Sequence, residues 1–155
     1  MPLIESRPAV RIVTCRTALN PTGIPGYRYC LNPYVGCTHG CRYCYAVFMK
    51  RFREREEAWG TFVDIKINLP EVLKRQLGAR KAPAGKVLLG TVTDPYQPIE
   101  RKACIMRSCL EMLADYPLLE IDVLTKSDLV MRDLSLLLRL KKCRVGFTIT
   151  TPDDR

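Results

Sequence analysis

Residues 86–125, KVLLGTVTDPYQPIERKACIMRSCLEMLADYPLLEIDVLT, read as a strand, a loop, a helix and a second strand. Lys86 to Gly90 is a short apolar run of the kind a buried strand shows, and Asp94-Pro95 breaks it with a turn signal. Ile99, Ala103, Met106, Leu110 and Leu113 then recur at spacings of three and four, which puts them on one face of a helix ending near Asp115. Leu119 to Leu124 is the next strand. Two strands joined through a helix of this length make a parallel βα unit, with a right-handed connection and its functional loops at the carboxyl ends of the strands.

The same rhythm runs outward in both directions. Upstream come a strand at Tyr27 to Leu31, a cysteine-rich loop, a helix over Tyr45 to Glu57 and a strand at Phe62 to Ile67. Pro70 opens a helix to Leu77 with Asn68 as its cap, and the Gly78 to Gly85 loop returns to the quoted stretch. Downstream, Ser127 or Asp128 caps a helix from Leu129 to Leu140, and Arg144 to Thr150 is the last strand. The expected fold class is therefore α/β, a partial (β/α) barrel over residues 27–155 holding about the first four to five βα units. Residues 1–26, with Pro2, Pro8, Pro21, Gly23, Pro25 and Gly26, read as an irregular N-terminal lead-in. No helix follows the last strand, so the sheet edge is expected to be completed by something else, a missing C-terminal half or a partner chain.

Composition bounds the function. A chain of 155 residues, 47% hydrophobic and 26% charged, suits one globular domain. No run approaches the ~18 to 20 uninterrupted apolar residues of a membrane span, and the start lacks the order of a signal peptide, so the expected location is cytoplasmic and away from membranes. Thiols there stay reduced, which turns attention from disulfides to metal ligation among the eight cysteines. Cys15, Cys30, Cys104, Cys109 and Cys143 stand apart and read as small buried hydrophobes. The net charge of +9 suits a polyanion such as nucleic acid. The basic residues are spread out, however, and a mixed solvated helix face accounts for much of the Arg42 to Arg55 stretch, so charge leaves that partner open.

Cys37-Thr-His-Gly-Cys41-Arg-Tyr-Cys44 carries the chemistry. The spacing CxxxCxxC lets one tight loop aim three thiolates at three corners of an iron–sulfur cube and leaves the fourth iron open. Clusters that only carry electrons use four cysteines, whereas an iron lacking a protein ligand can bind substrate or cofactor. The competing reading is zinc held by the three cysteines with His39 or a distant cysteine. No second ligand pair stands elsewhere in the chain, and His39 lies between two ligands, poorly placed to join the same tetrahedron.

The string Asn32-Pro-Tyr-Val-Gly-Cys-Thr-His-Gly-Cys-Arg-Tyr-Cys-Tyr-Ala46 resembles the radical S-adenosylmethionine (SAM) superfamily, in its spore photoproduct lyase-like branch, also labelled DNA repair photolyase. The likeness extends to Gly90–Glu100, Val123–Ser127 and Val145–Thr151. It implies a partial barrel of the radical SAM type with a [4Fe–4S] cluster on Cys37, Cys41 and Cys44. The open iron would chelate SAM, and an electron from a donor such as flavodoxin or ferredoxin would cleave SAM into methionine and a 5′-deoxyadenosyl radical. By position, Thr93 and Asp94 would face the methionine amino group and Lys126 its carboxylate. Thr148 and Thr150 alternate on the last strand, and whichever points inward would contact the ribose, with Thr150 the preferred candidate. Tyr43 and Tyr45 flank Cys44 as two tyrosines do in spore photoproduct lyase, where they take part in returning hydrogen to the substrate. The lyase's hydrogen-donating cysteine is replaced here by Thr91, which has no S–H to give and argues against repair of the spore photoproduct itself. The implied enzyme is thus a lyase-like radical SAM protein with nucleic acid as a candidate substrate; the alternative is a non-catalytic metal-binding module that binds nucleic acid or a partner chain.

Overall fold

The structure, a computed structural model, describes residues 7–149. Its strands are β1 (Ala9–Val13), β2 (Asn20–Pro21), β3 (Tyr29–Leu31), β4 (Tyr34–Val35), β5 (Phe62–Lys66), β6 (Gly85–Leu89), β7 (Leu119–Thr125) and β8 (Cys143–Phe147). The helices are α1 (Leu69–Leu77), α2 (Glu100–Ala103), α3 (Ile105–Ala114) and α4 (Leu134–Arg139), with 3-10 helices over Tyr45–Phe52 and Asp128–Asp133. A five-stranded sheet runs β2-β3-β6-β7-β8, parallel from β3 to β8, and a three-stranded sheet runs β1-β5-β4. This is the expected mixed α/β architecture, an open partial barrel; the described strands do not close on themselves.

Alternation along the strands sorts the two faces. Val87 and Leu89 of β6 and Leu119, Ile121 and Val123 of β7 pack in one core with Leu73 of α1 and Met106, Leu110 and Leu113 of α3. Burial of such side chains stabilises the fold by roughly 1.5–3 kcal/mol each. The alternate residues Lys86, Leu88, Asp122 and Leu124 take the opposite, concave face, where Leu88 and Leu124 line a cavity and Lys86 meets Asp122. On edge strand β8, Val145 and Phe147 remain exposed.

Several local expectations are corrected. The lead-in is not wholly irregular: β1 pairs in parallel with β5, and β2 pairs antiparallel with β3. Gln76 ties it to α1, its Oε1 accepting from Ala18 N at 2.8 Å and Leu19 N at 2.9 Å. The helix after the cysteines is 3-10 and stops at Phe52, because Glu54 takes a left-handed φ of 48° and Arg55 turns inward to Asp64. The long amphipathic helix is split at Cys104, whose φ is 52°. Glu100, fully buried, repairs the break by accepting from Met106 N at 3.0 Å and Arg107 N at 3.1 Å. Asn68 does not cap α1; its amide instead clamps the backbone N–H and C=O of Cys15. Ser127 does cap, with Oγ accepting from Leu129 N at 3.2 Å.

Candidate functional site

The chain leaves β3 through Asn32-Pro33 and enters the cysteine loop from β4. Asn32 is buried and works as a clamp: Oδ1 accepts from Thr91 N at 2.9 Å and Val92 N at 3.1 Å, and Nδ2 donates to Thr91 Oγ1 at 2.8 Å. The loop after β6 is thereby fixed beside the start of the cysteine loop. Gly36 has φ +85°, and a Cβ there would run into the carbonyl and ring of Phe62, so only glycine fits immediately before Cys37. Two turns follow, with Gly40 N donating to Cys37 O at 3.2 Å and Cys44 N to Cys41 O at 3.1 Å.

Gln97 binds this loop from behind. It is fully buried; Nε2 donates to Gly36 O at 3.1 Å and to Thr93 Oγ1 at 3.0 Å, and Oε1 accepts from Thr38 N at 3.0 Å. Thr93 Oγ1 also donates to Gly36 O, at 2.6 Å. The residues on both sides of Cys37 are therefore held by the loop after β6.

Asp94 is the second hub. Oδ1 accepts from Tyr96 N at 2.9 Å and Thr125 Oγ1 at 2.6 Å, Oδ2 accepts from Lys126 N at 2.7 Å, and His39 Nε2 lies 3.2 Å from Oδ2. That last contact is close enough for an ion pair with protonated histidine but lacks hydrogen-bond geometry, so Nε2 is buried without a hydrogen-bond partner. Burial opposes ionisation of Asp94, yet its contacts with His39, Thr125 and the Lys126 and Tyr96 backbone outweigh it and hold the carboxyl below its ordinary value. Three of its acceptor positions are taken, and only the one facing His39 can be given to a ligand ammonium.

These groups share a cavity of about 280 Å³, near the lower end of the ~300 to 1,000 Å³ of small-molecule sites. Cys37, Cys41, Cys44, Tyr43, Tyr45, Thr93, Asp94 and Lys126 all line it, so the candidates separated by up to 89 residues in sequence, from Cys37 to Lys126, converge. Lys126 Nζ donates to Tyr43 Oη at 3.2 Å, and the Tyr45 hydroxyl donates to the Thr91 carbonyl. Thr148 lines the cavity as well, whereas Thr150 lies outside the described residues.

Three free thiols on one loop suit the donor set of an iron–sulfur cube with one open iron. Among the described residues no three His, Cys, Asp or Glu side chains converge tightly enough to hold a single ion. A cube spreads three cysteines over three irons and requires no such convergence, so the three thiols fit the donor set of a cluster. Burial pushes the Cys37 thiol up to about 11, so without a bound cation it stays protonated at neutral pH. Asn32 and Gln97 were not singled out as site residues from sequence. Their only signals were a polar side chain before proline in otherwise apolar or turn-rich strings, Asn32-Pro33 and Gln97-Pro98.

A family model described as the Radical SAM superfamily matches residues 31–155. An uncharacterized protein of Methanocaldococcus jannaschii is 38% identical over 137 residues, 88% of this chain and 50% of its own length. An uncharacterized protein of Mycobacterium tuberculosis is 36% identical over 133 residues, 81% of this chain and 38% of its own. Among solved structures, a spore photoproduct lyase variant with dinucleoside spore photoproduct superposes with a TM-score of 0.66 at 18% identity, covering 90% of this chain and 39% of that one. A second variant, with bound AdoMet and the same dinucleoside, gives 0.65 at 17% identity, over the same shares of the two chains. At those identities the likeness is one of fold. The chain spans half the length of the archaeal relative and about two fifths of the others.

Proposed function

This chain belongs to the radical SAM superfamily, whose cofactors are a [4Fe–4S] cluster and SAM, and on that premise we propose that Cys37, Cys41 and Cys44 hold the cluster of a lyase-like enzyme acting on nucleic acid. The observation that carries the reading is the convergence of the three thiols with Thr93, Asp94 and Lys126 on one cavity. When bound, the cluster and SAM supply reductive cleavage of a sulfur–carbon bond and hence a 5′-deoxyadenosyl radical.

The chain's own residues bind, orient and exclude water. Thr93 spends its proton on the Gly36 carbonyl and one lone pair on Gln97, keeping the other to accept from the SAM ammonium, while Asp94 supplies a fixed negative charge beside it. Lys126 pairs as a point charge with the carboxylate. Thr148, which follows β8 and lines the cavity, or Thr150 meets the ribose. Tyr43 and Tyr45 stand at the cavity rim, where Tyr43 accepts from Lys126 and Tyr45 donates to the Thr91 carbonyl, so that both frame the space a substrate would enter. Leu88 and Leu124 keep the floor dry. An electron donor such as flavodoxin or ferredoxin reduces the cluster. The apolar side chains left open along β8 support completion of that wall by further chain, its own or a partner's.

The test is spectroscopic. After anaerobic reconstitution and dithionite reduction, addition of SAM should change the electron paramagnetic resonance signal of the cluster, as expected when a ligand enters the open iron. The Cys41→Ala variant should show neither cluster nor change. A colourless protein holding stoichiometric zinc would refute the reading.

A further inference from the structure

The 3-10 helix that follows Cys44 leaves its aromatic side chains in water. Tyr45 and Phe52 are each more than 65% exposed and Phe48 is 41% exposed, an unusual use of large apolar surface. The three form a continuous ladder: Tyr45 and Phe48 stack with centroids 6.4 Å apart and an interplanar angle of 27°, and Phe48 meets Phe52 edge-on at 6.3 Å. Its inner end is in the cavity, where the Tyr45 hydroxyl is bonded to the Thr91 carbonyl; its outer end, Phe52, is on the open surface. Arg42, Lys50, Arg51 and Arg53 are interleaved with the aromatics, and no carboxylate occurs between Arg42 and Arg53. Of these, Arg42 and Arg51 are exposed.

An aromatic track with interspersed cations, leading from solvent into a reaction cavity, has the chemistry of a single-strand platform. Bases stack on the rings regardless of sequence, and the guanidinium groups take the phosphates. We propose that residues 42–53 bind unpaired nucleotides of a substrate strand, with Phe52 and Phe48 stacking bases and Arg42 and Arg51 neutralising backbone phosphates next to the nucleotide in the cavity. This rests on the nucleic-acid reading above and adds to it which face binds and in which state: single-stranded or locally opened rather than duplex. A face meant only to pack against more protein would carry the apolar residues without the interleaved cations, although Glu54 and Glu56 border Lys50 and Arg51 at the outer end and leave Arg42 as the cation farthest from a carboxylate in sequence. The location explains why reaction chemistry and strand binding share one short element: Cys44 directly precedes the first rung.

The experiment is fluorescence anisotropy with the full 155-residue chain and a labelled oligothymidylate of about 12 nucleotides, titrated between about 50 and 200 mM salt. Wild type should bind, and more weakly as salt rises. Phe52→Ala should weaken binding about tenfold with the salt slope unchanged, and Phe52→Trp should restore it. Arg51→Ala should reduce the slope by about 0.7. Phe147→Ala, at an aromatic on β8 that is 52% exposed, should bind as wild type. If wild type binds while Phe52→Ala and Arg51→Ala bind equally well, the platform is elsewhere and the nucleic-acid reading stands. Failure of wild type to bind removes both. Should Phe52→Ala leave oligonucleotide affinity intact and instead slow reduction by an acidic flavodoxin, the face belongs to a redox partner and this inference is overturned.

Discussion

Gln97→Leu isolates the clamp behind the cysteine loop. Leucine is one atom shorter than glutamine and suits a fully buried position, so only a small cavity and no overpacking is expected. The loss is polar. Thr38 N is left with no protein acceptor, at about 1–2 kcal/mol for a partly buried donor, the lower part of the range for buried ones. Gly36 O keeps the bond from Thr93 Oγ1, so the second loss is small. The sum is about 2 kcal/mol, or roughly 4–8 °C in melting temperature for a chain of this size. Urea unfolding of the metal-free chain, held reduced under nitrogen, measures it. Because the lost bonds flank Cys37, iron retained after desalting of the reconstituted variant should fall in parallel. A variant within about 0.5 kcal/mol of wild type that also keeps its iron would show that Gln97 does not hold the loop, and the account of how the loop is positioned would fail.

Further expectations follow from the same geometry. Gly36→Ala forces a left-handed φ on alanine and drives Cβ into Phe62, so it should cost about 3 kcal/mol and abolish iron incorporation, as read by denaturant midpoint and iron content. Asp122 is held well below the ordinary carboxylate range by hydrogen bonds from Arg144, with burial opposing and Tyr27 and Lys86 assisting. Its folded value is depressed, so its stabilisation is complete above the unfolded value of about 3.9 and lost as pH falls through the folded value. Asp122→Asn should accordingly cost about 1–2 kcal/mol at pH 7, a modest figure because Arg144 is largely exposed, and the gap from wild type should narrow below about pH 4 in acid-unfolding curves. On the proposed role of Lys126, Lys126→Ala should raise KM for SAM about tenfold with a smaller change in kcat, because a pair with the carboxylate would be made in ground and transition states alike.

The periodic parts of this fold were legible in the sequence because burial imposes period on side chains. The apolar runs at Val87 and Ile121 and the three-and-four spacing of Met106, Leu110 and Leu113 return as β6, β7 and α3. What escaped depended on single backbone angles and polar bonds, which leave no periodic trace. Neither Glu54 nor Cys104 is glycine or asparagine, so nothing in sequence marked their left-handed turns. Strand β1 hid behind prolines because its partner, β5, lies 53 positions away in register. The cysteine triad was conspicuous by spacing alone, and the convergence of Thr93, Asp94 and Lys126 with it followed from their shared place after parallel strands. That Asp94 would spend most of its acceptors on Tyr96, Thr125 and Lys126 could be seen only in three dimensions.

The central claim, that three cysteines carry a cluster that cleaves SAM, is tested most directly by counting product. The chain is reconstituted anaerobically with iron and sulfide, reduced with dithionite, given SAM and assayed for 5′-deoxyadenosine beside Cys41→Ala. About four irons per chain, together with 5′-deoxyadenosine that disappears in the variant, is the expected result. A full cluster that yields no 5′-deoxyadenosine, or product unchanged in Cys41→Ala, would contradict it.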